Sequence, residues 1–335
     1  MSKENKFLKD MTKGTPWKLL LQFAVPLFIG NIFQQLYNMV DSIIVGNFVG
    51  PNALGAIGTT NSLNFLFFSL VAGLSVGIGI IVAQFFGSNN EEKVKDTIGN
   101  AIWIVLISSV IMACIGFFVA KPVLVLLRTD KVILGDATAY LKVTSIGICC
   151  TGLYNGVSSI LRALGDSKTS LIFLILASLV NVVLDLWFVL GLGWGVVGAG
   201  VATAFSQFLS AVTCIFYAYK SNTYFRLKKK NLKLNSYIVD KSLRLGIPVA
   251  LQNSLIAFSL IVLQAIVNGY GATFTTAFTV ISRIETLVQQ PFMSLGAAVS
   301  TYTGQNLGAG KTDRVMKGFN SSNVMNVIFS AVVLV

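Results

Sequence analysis

Two carboxylates, Asp41 and Asp185, stand alone inside long apolar stretches of this chain. A carboxylate at bilayer depth costs roughly 3 kcal/mol on insertion scales. Carrying that cost twice points to a use for the charge, and the chemistry available to a buried carboxylate is the binding of a proton or a cation. Asp41 ends a series, Gln34, Tyr37, Asn38 and Asp41, at i, i+3, i+4 and i+7, which places all four on one helical face. In lipid such a face must turn toward protein or a water-filled cavity. Asn181 precedes Asp185 by four residues and shares its face. Depth agrees: at 1.5 Å per residue, Asp41 lies about 36 Å along its helix from Trp17 and Asp185 about 24 Å from Thr169. The competing reading is a structural polar contact between helices.

The remaining chemistry is narrow. The chain has no histidine, so a His relay, a His metal site and a Ser-His-Asp triad are excluded. Cys114, Cys149, Cys150 and Cys214 lie in apolar segments without CxxC spacing and read as buried thiols. No DDxxD-type carboxylate cluster suggests a membrane enzyme, and no filter or charged ring suggests a channel. No cofactor is expected beyond H⁺ or Na⁺ as coupling ion, with Asp41, Asn181 and Asp185 as the possible Na⁺ ligands.

These side chains need a membrane frame. Hydrophobic residues make up 54% of the 335 positions and charged residues 11%, where soluble domains carry about 25%. Continuous apolar runs of bilayer length recur, which predicts an all-α polytopic membrane protein rather than a β-barrel. Nine spans are expected: 16–48, 53–86, 94–120, 132–164, 169–190, 196–219, 239–268, 274–305 and 315 to the end. Pro26, Pro248 and Pro291 are the candidate kinks, and Gly73, Gly77 and Gly79 predict close helix packing. The net charge of +12 sits mainly in alternate loops, above all Lys220–Arg244, which predicts a cytoplasmic N-terminus and no nucleic-acid partner. The loop with Lys121, Arg128 and Lys131 departs from that pattern. Four lysines precede the first span, which carries polar residues and no cleavage site, so it reads as an uncleaved span.

The chain also repeats itself. Sliding it so that Pro26 meets Pro248 brings Asn31 onto Asn253; after a one-residue gap Gly50 meets Gly271, Gln84 meets Gln305, Gly87 meets Gly308 and Lys93 meets Arg314. Six spans separate the units, so both start on the same side and the repeats are parallel. The expected organisation is a first lobe over 1–220, a basic cytoplasmic linker over 221–240 and a partial second lobe over 241–335. By repeat arithmetic the second lobe lacks about three helices of a protein of roughly 440–460 residues.

These residues resemble a known family. Pro26-x4-Asn31-x2-Gln34-x2-Tyr37-Asn-Met-Val-Asp41, Leu161-Arg-Ala-Leu-Gly165-Asp, Asn181-x3-Asp185 and Gly304-Gln-Asn-Leu-Gly308-Ala-Gly are similar to segments of multidrug and toxic compound extrusion (MATE) transporters. The resemblance runs from about Lys13 onward. It implies a two-lobe bundle of twelve helices around a central cavity, in the cytoplasmic membrane of a prokaryote. It also implies antiport: export of small amphipathic, often cationic compounds against inward H⁺ or Na⁺ flow, by a protein expected to be a monomer. The family's cation site carries over to Asp41, Asn181 and Asp185, with Tyr37, Gln34, Asn155 and Thr203 as polar neighbours. The seventh span lacks the carboxylate that some members carry there, which favours the branch coupling through the first lobe. In the second lobe Gln252, Asn253 and Gln264 are candidate cavity residues. Glu285 and Arg283, two apart on one span, project from nearly opposite faces, so one of them is a candidate for the cavity. The alternative is a lipid-linked oligosaccharide flippase of a related superfamily, which requires a strongly basic cavity. Arg283 is the one unambiguous base expected within the membrane, which disfavours it.

Overall fold

The computed structural model describes residues 8–268, 270 and 272–334. Among them nine long helices follow one another: α1 (Pro16–Phe48), α2 (Pro51–Gly87), α3 (Glu91–Leu126), α4 (Lys131–Ala163), α5 (Ser167–Asp185), α6 (Gly195–Ser221), α7 (Ser236–Asn268), α8 (Ala272–Gly308) and α9 (Thr312–Leu334). Seven, α1 through α7, contain stretches long and apolar enough to cross a bilayer. The bundle is all-α, as the continuous apolar runs predict. Helices α1, α7 and α8 continue through Pro26, Pro248 and Pro291. Gly269 and Gly271 of the expected uncharged linker lie outside the described residues.

Polar caps carry several helices beyond their apolar runs. Asn90 caps α3 by accepting from Lys93 N at 3.0 Å, with Glu91 and Glu92 in the first turn where the helix dipole favours acids. The segment Leu161–Asp166 is a compact turn. Gly165 adopts φ +89°, the Asp166 N–H returns to Leu161 O, and the Asp166 side chain then caps α5 through Thr169 N at 2.9 Å. Gly310 ends α8 in the same way, with φ +71° and Lys311 N bonded to Asn306 O.

Helices α2 to α6 close around one apolar core that includes Ile78, Ile98, Val105, Leu161 and Phe173. The basic segment after α6 is stitched to α3. Asn231 donates to Asp96 Oδ1 at 2.7 Å, Asn100 Oδ1 accepts from Asn235 N at 2.8 Å, and Trp103 Nε1 donates to Leu232 O at 3.0 Å. Gly99 lets the Asn231 backbone approach. Helix α7 begins at Ser236, inside the span expected to be linker.

The two repeat units meet through small residues. Helix α2 packs most extensively on α7. A Cβ on Gly73 would sit 2.5 Å from Ala250 Cα, and one on Gly77 would sit 2.6 Å from Gly246 N. Ser69 and Ser254 hydroxyls pair at 2.9 Å across the same seam. Helix α1 joins α8 through a second core of Leu20, Phe23, Ala24, Leu295, Ala298 and Tyr302. The N-terminal segment closes the basic end. Met11 is fully buried; its N–H donates to Gln305 Oε1 at 2.8 Å, and its carbonyl accepts from Asn306 and Arg314. The Gln305 amide in turn donates to Ala163 O at 2.9 Å, tying α8 to the α4–α5 turn.

Candidate functional site

Helix α1 delivers its polar face into the first unit. Gln34, Tyr37 and Asn38 line a cavity of about 430 Å³, facing Asn155 from α4 and Thr203 from α6. Asp41, one turn further along, lies beyond the lining. It lies near Asp185 at the end of α5, close enough for the two carboxyl groups to feel each other's charge, with Tyr37 and Tyr140 within reach of the same field. Immediately after Asp185 the chain leaves α-geometry for a π-helical turn, Leu186–Gly191. Such turns are rare and recur at functional positions.

Asp185 is fully buried, and among the described residues neither of its oxygens has a hydrogen-bond partner. Asp41 Oδ1 and Asn181 Oδ1 are likewise buried and unpaired. Asn181 spends its amide nitrogen on Thr203 Oγ1 at 3.4 Å, which leaves its carbonyl oxygen facing away from that bond. The result is a group of acceptor oxygens with no donor among them. Two carboxylates facing each other both present lone pairs, so the pair is stable only with a proton between them or a cation against them. An all-oxygen donor set suits a hard cation, and the orphaned oxygens fit H⁺ or Na⁺. Among the described residues no group of three or more His, Cys, Asp and Glu forms a richer metal site.

The structure therefore brings Gln34, Tyr37, Asp41, Asn155, Asn181, Asp185 and Thr203 into one region. It keeps the second-unit candidates apart. Gln252 is exposed on α7, on a separate shallow hollow of about 610 Å³. Asn253 is half-buried on the same helix, and Gln264 lies further along it. Glu285 is exposed and accepts from Gln289 Nε2 at 2.9 Å. The Arg283 side chain lies outside the described residues. Four contributors escape the sequence reading. Tyr140 is buried beside the carboxylates. Asn64 lines the cavity and accepts from Thr144 Oγ1 at 2.7 Å. Gln207 lines it with its Oε1 unpaired. Arg162 is in the last turn of α4 and reaches the cavity. The one signal for the first three was a polar residue inside an apolar span.

The MatE family model matches residues 26–187 and 248–335, which takes in every cavity residue on α1 and α4 and both carboxylates. The chain belongs to the MatE family. It is therefore a multi-pass membrane transporter rather than an enzyme. It is 28% identical over its whole length to the probable multidrug resistance protein YoeA of Bacillus subtilis, covering 74% of that protein. It is 31% identical to the probable multidrug resistance protein YpnP of the same organism, over 91% of this chain and 68% of the relative. Its fold superposes on a MOP superfamily transporter from Pyrococcus furiosus with a TM-score of 0.90, at 25% identity, over 99% of this chain and 74% of the other. The MatE match skips residues 188–247, the stretch that holds α6 and the basic segment stitched to α3.

Proposed function

We propose that the protein exports small amphipathic molecules in exchange for H⁺ or Na⁺, with the ion held at Asp41, Asp185 and Asn181. The observation that carries this reading is the set of unpaired, buried oxygens beside the cavity. Loading the pair removes a buried negative charge and permits close packing; unloading it calls for water. The two loading states therefore favour different helix arrangements, and coupling requires that difference. The named relatives are multidrug resistance proteins, which supports a drug-like substrate.

In this reading residues 1–220 and 241–335 are two lobes that rock against each other. The seam of α2 on α7 and the buried Met11–Gln305 junction close the basic end, which supports a cytoplasmic N-terminus and an outward-open cavity.

The test is ethidium efflux from proteoliposomes holding the full-length protein, with a pH gradient or a Na⁺ gradient imposed separately. Efflux driven by one gradient and abolished by Asp41→Asn supports the proposal. Efflux indifferent to both gradients overturns it.

A further inference from the structure

Among the described residues lining the cavity, only one carries a formal charge, and that charge is positive. Asp41 and Asp185 lie beyond the lining, and every other polar group on it is an amide, a hydroxyl or a phenol. The charged residue is Arg162, half-buried at the end nearest the Leu161–Asp166 turn. Its guanidinium donates from Nη1 to Ser158 Oγ at 2.6 Å. No carboxylate among the described residues lies within ion-pair distance of it. The nearest acid in sequence, Asp166, is committed elsewhere, accepting from Thr169 N and Thr169 Oγ1. A surface arginine would extend its head to water at the membrane face. Arg162 instead lines the cavity, and among the described residues only Ser158 takes a hydrogen bond from it.

We propose that this end of the cavity is an anion subsite, where Arg162 and Ser158 bind the carboxylate or phosphate group of a transported organic anion. The guanidinium fork offers two parallel N–H donors to such a group. Tyr154 does not compete, because its hydroxyl donates to Ser170 O at 3.0 Å. The rest of the cavity suits an uncharged, flat body. From Arg162 to Thr151 it follows α4 for about 16 Å, at 1.5 Å per residue, and Phe65 and Phe68 border it from α2. The substrate class is thus an elongated aromatic or amphipathic molecule with one anionic end, bound head-inward. This rests on the reading of the cavity as the transport site.

The probe pair is dansylglycine and dansylglycinamide, which share size and fluorophore and differ by one negative charge. Binding is read by dansyl emission with the full-length protein in phosphatidylcholine nanodiscs. The wild type is expected to bind the carboxylate about tenfold more tightly than the amide, the effect of one charge-assisted hydrogen-bonded contact. Arg162→Gln is expected to erase the preference, and Arg162→Lys to keep part of it. Equal wild-type affinities, or a preference that survives in Arg162→Gln, overturn the subsite. If Arg162→Gln does not accumulate, the wild-type pair still decides, and Ser158→Ala is expected to narrow the preference. A preference that vanishes in phosphatidylglycerol nanodiscs assigns the subsite to a lipid headgroup and overturns the substrate reading. Gradient-driven ethidium efflux with no carboxylate preference would sink the subsite alone. A carboxylate preference without gradient-driven efflux would sink the coupling reading alone.

Discussion

Gly87 and Gly308 occupy equivalent places in the two repeat units and seat against each other's neighbours. A side chain on Gly87 would collide with the backbone of Gln305, and one on Gly308 with the backbone of Gln84. The alignment of Gln84 with Gln305 and Gly87 with Gly308 is thus mirrored by a reciprocal contact. Two-fold-related surfaces produce that pattern, in which residue i meets j and j meets i. It agrees with parallel repeats about an axis along the membrane normal.

This contact leaves no room for a methyl group. Gly87→Ala and Gly308→Ala are each expected to destabilise the protein by about 1–3 kcal/mol, the usual range for overpacking. Gly58→Ala, at a position with open space around it, is the control. Thermal unfolding in detergent reads the difference. Equal melting temperatures for Gly87→Ala and Gly58→Ala would contradict the close seam.

The carboxylate pair is expected to act as one unit. Asp41→Asn and Asp185→Asn should each abolish gradient-driven efflux at normal membrane abundance. The double variant should be little worse than either single one, because groups that act together are not additive. Wild-type coupled efflux in either single variant excludes a shared site. Tyr140→Phe, which keeps the ring and removes the hydroxyl, separates a polar role at the pair from simple packing. Efflux that falls in this variant while its melting temperature holds assigns the role to the hydroxyl.

Gln305 holds the N-terminal segment, α8 and the α4–α5 turn through one side chain. Gln305→Leu fills nearly the same space and leaves Met11 N–H and Ala163 O without partners. Stranding buried polar groups costs about 1–3 kcal/mol each. The expected outcome is faster proteolysis near Met11, measured by limited digestion of the purified protein. Unchanged digestion would show that the segment is held by its apolar contacts alone.

The segment after α6 and the turn before it should lie on opposite faces of the membrane. A single cysteine at Lys229, in a cysteine-free background, is expected to label from the cytoplasmic side, and one at Gly193 from outside. Labelling of both from the same side would overturn the orientation taken from the basic loops. In the same segment Asn231→Ala should loosen the linker from α3. The cost of the lost Asp96 contact is about 1.5–3 kcal/mol, the range for hydrogen bonds to a charged group.

Much of this protein is legible in its residues one dimension at a time. Lipid admits only internally satisfied helices, so apolar length located all nine helices, α1 beginning and ending where its apolar run does, although only α1 through α7 are long and apolar enough to cross a bilayer among the described residues. Helical periodicity alone put Gln34, Tyr37, Asn38 and Asp41 on one face, and the repeat register alone paired Gly87 with Gly308. What one dimension could not carry is which faces meet. Arg162 falls inside the expected span 132–164, and nothing in its neighbours says which way it faces; the bundle decides that, since α4 runs on to Ala163 and sets Arg162 on the cavity lining. Tyr140 and Gln207 are ordinary polar residues in apolar spans until α4 and α6 set them beside α1 and α5. The Gln252 hollow and the exposed Glu285 show the reverse, with polar positions that the packing leaves outside the cavity beside Asp41 and Asp185. Local patterns depend on a helix's own period, whereas a site made from four helices depends on crossing angles and contact faces that only the packed bundle sets.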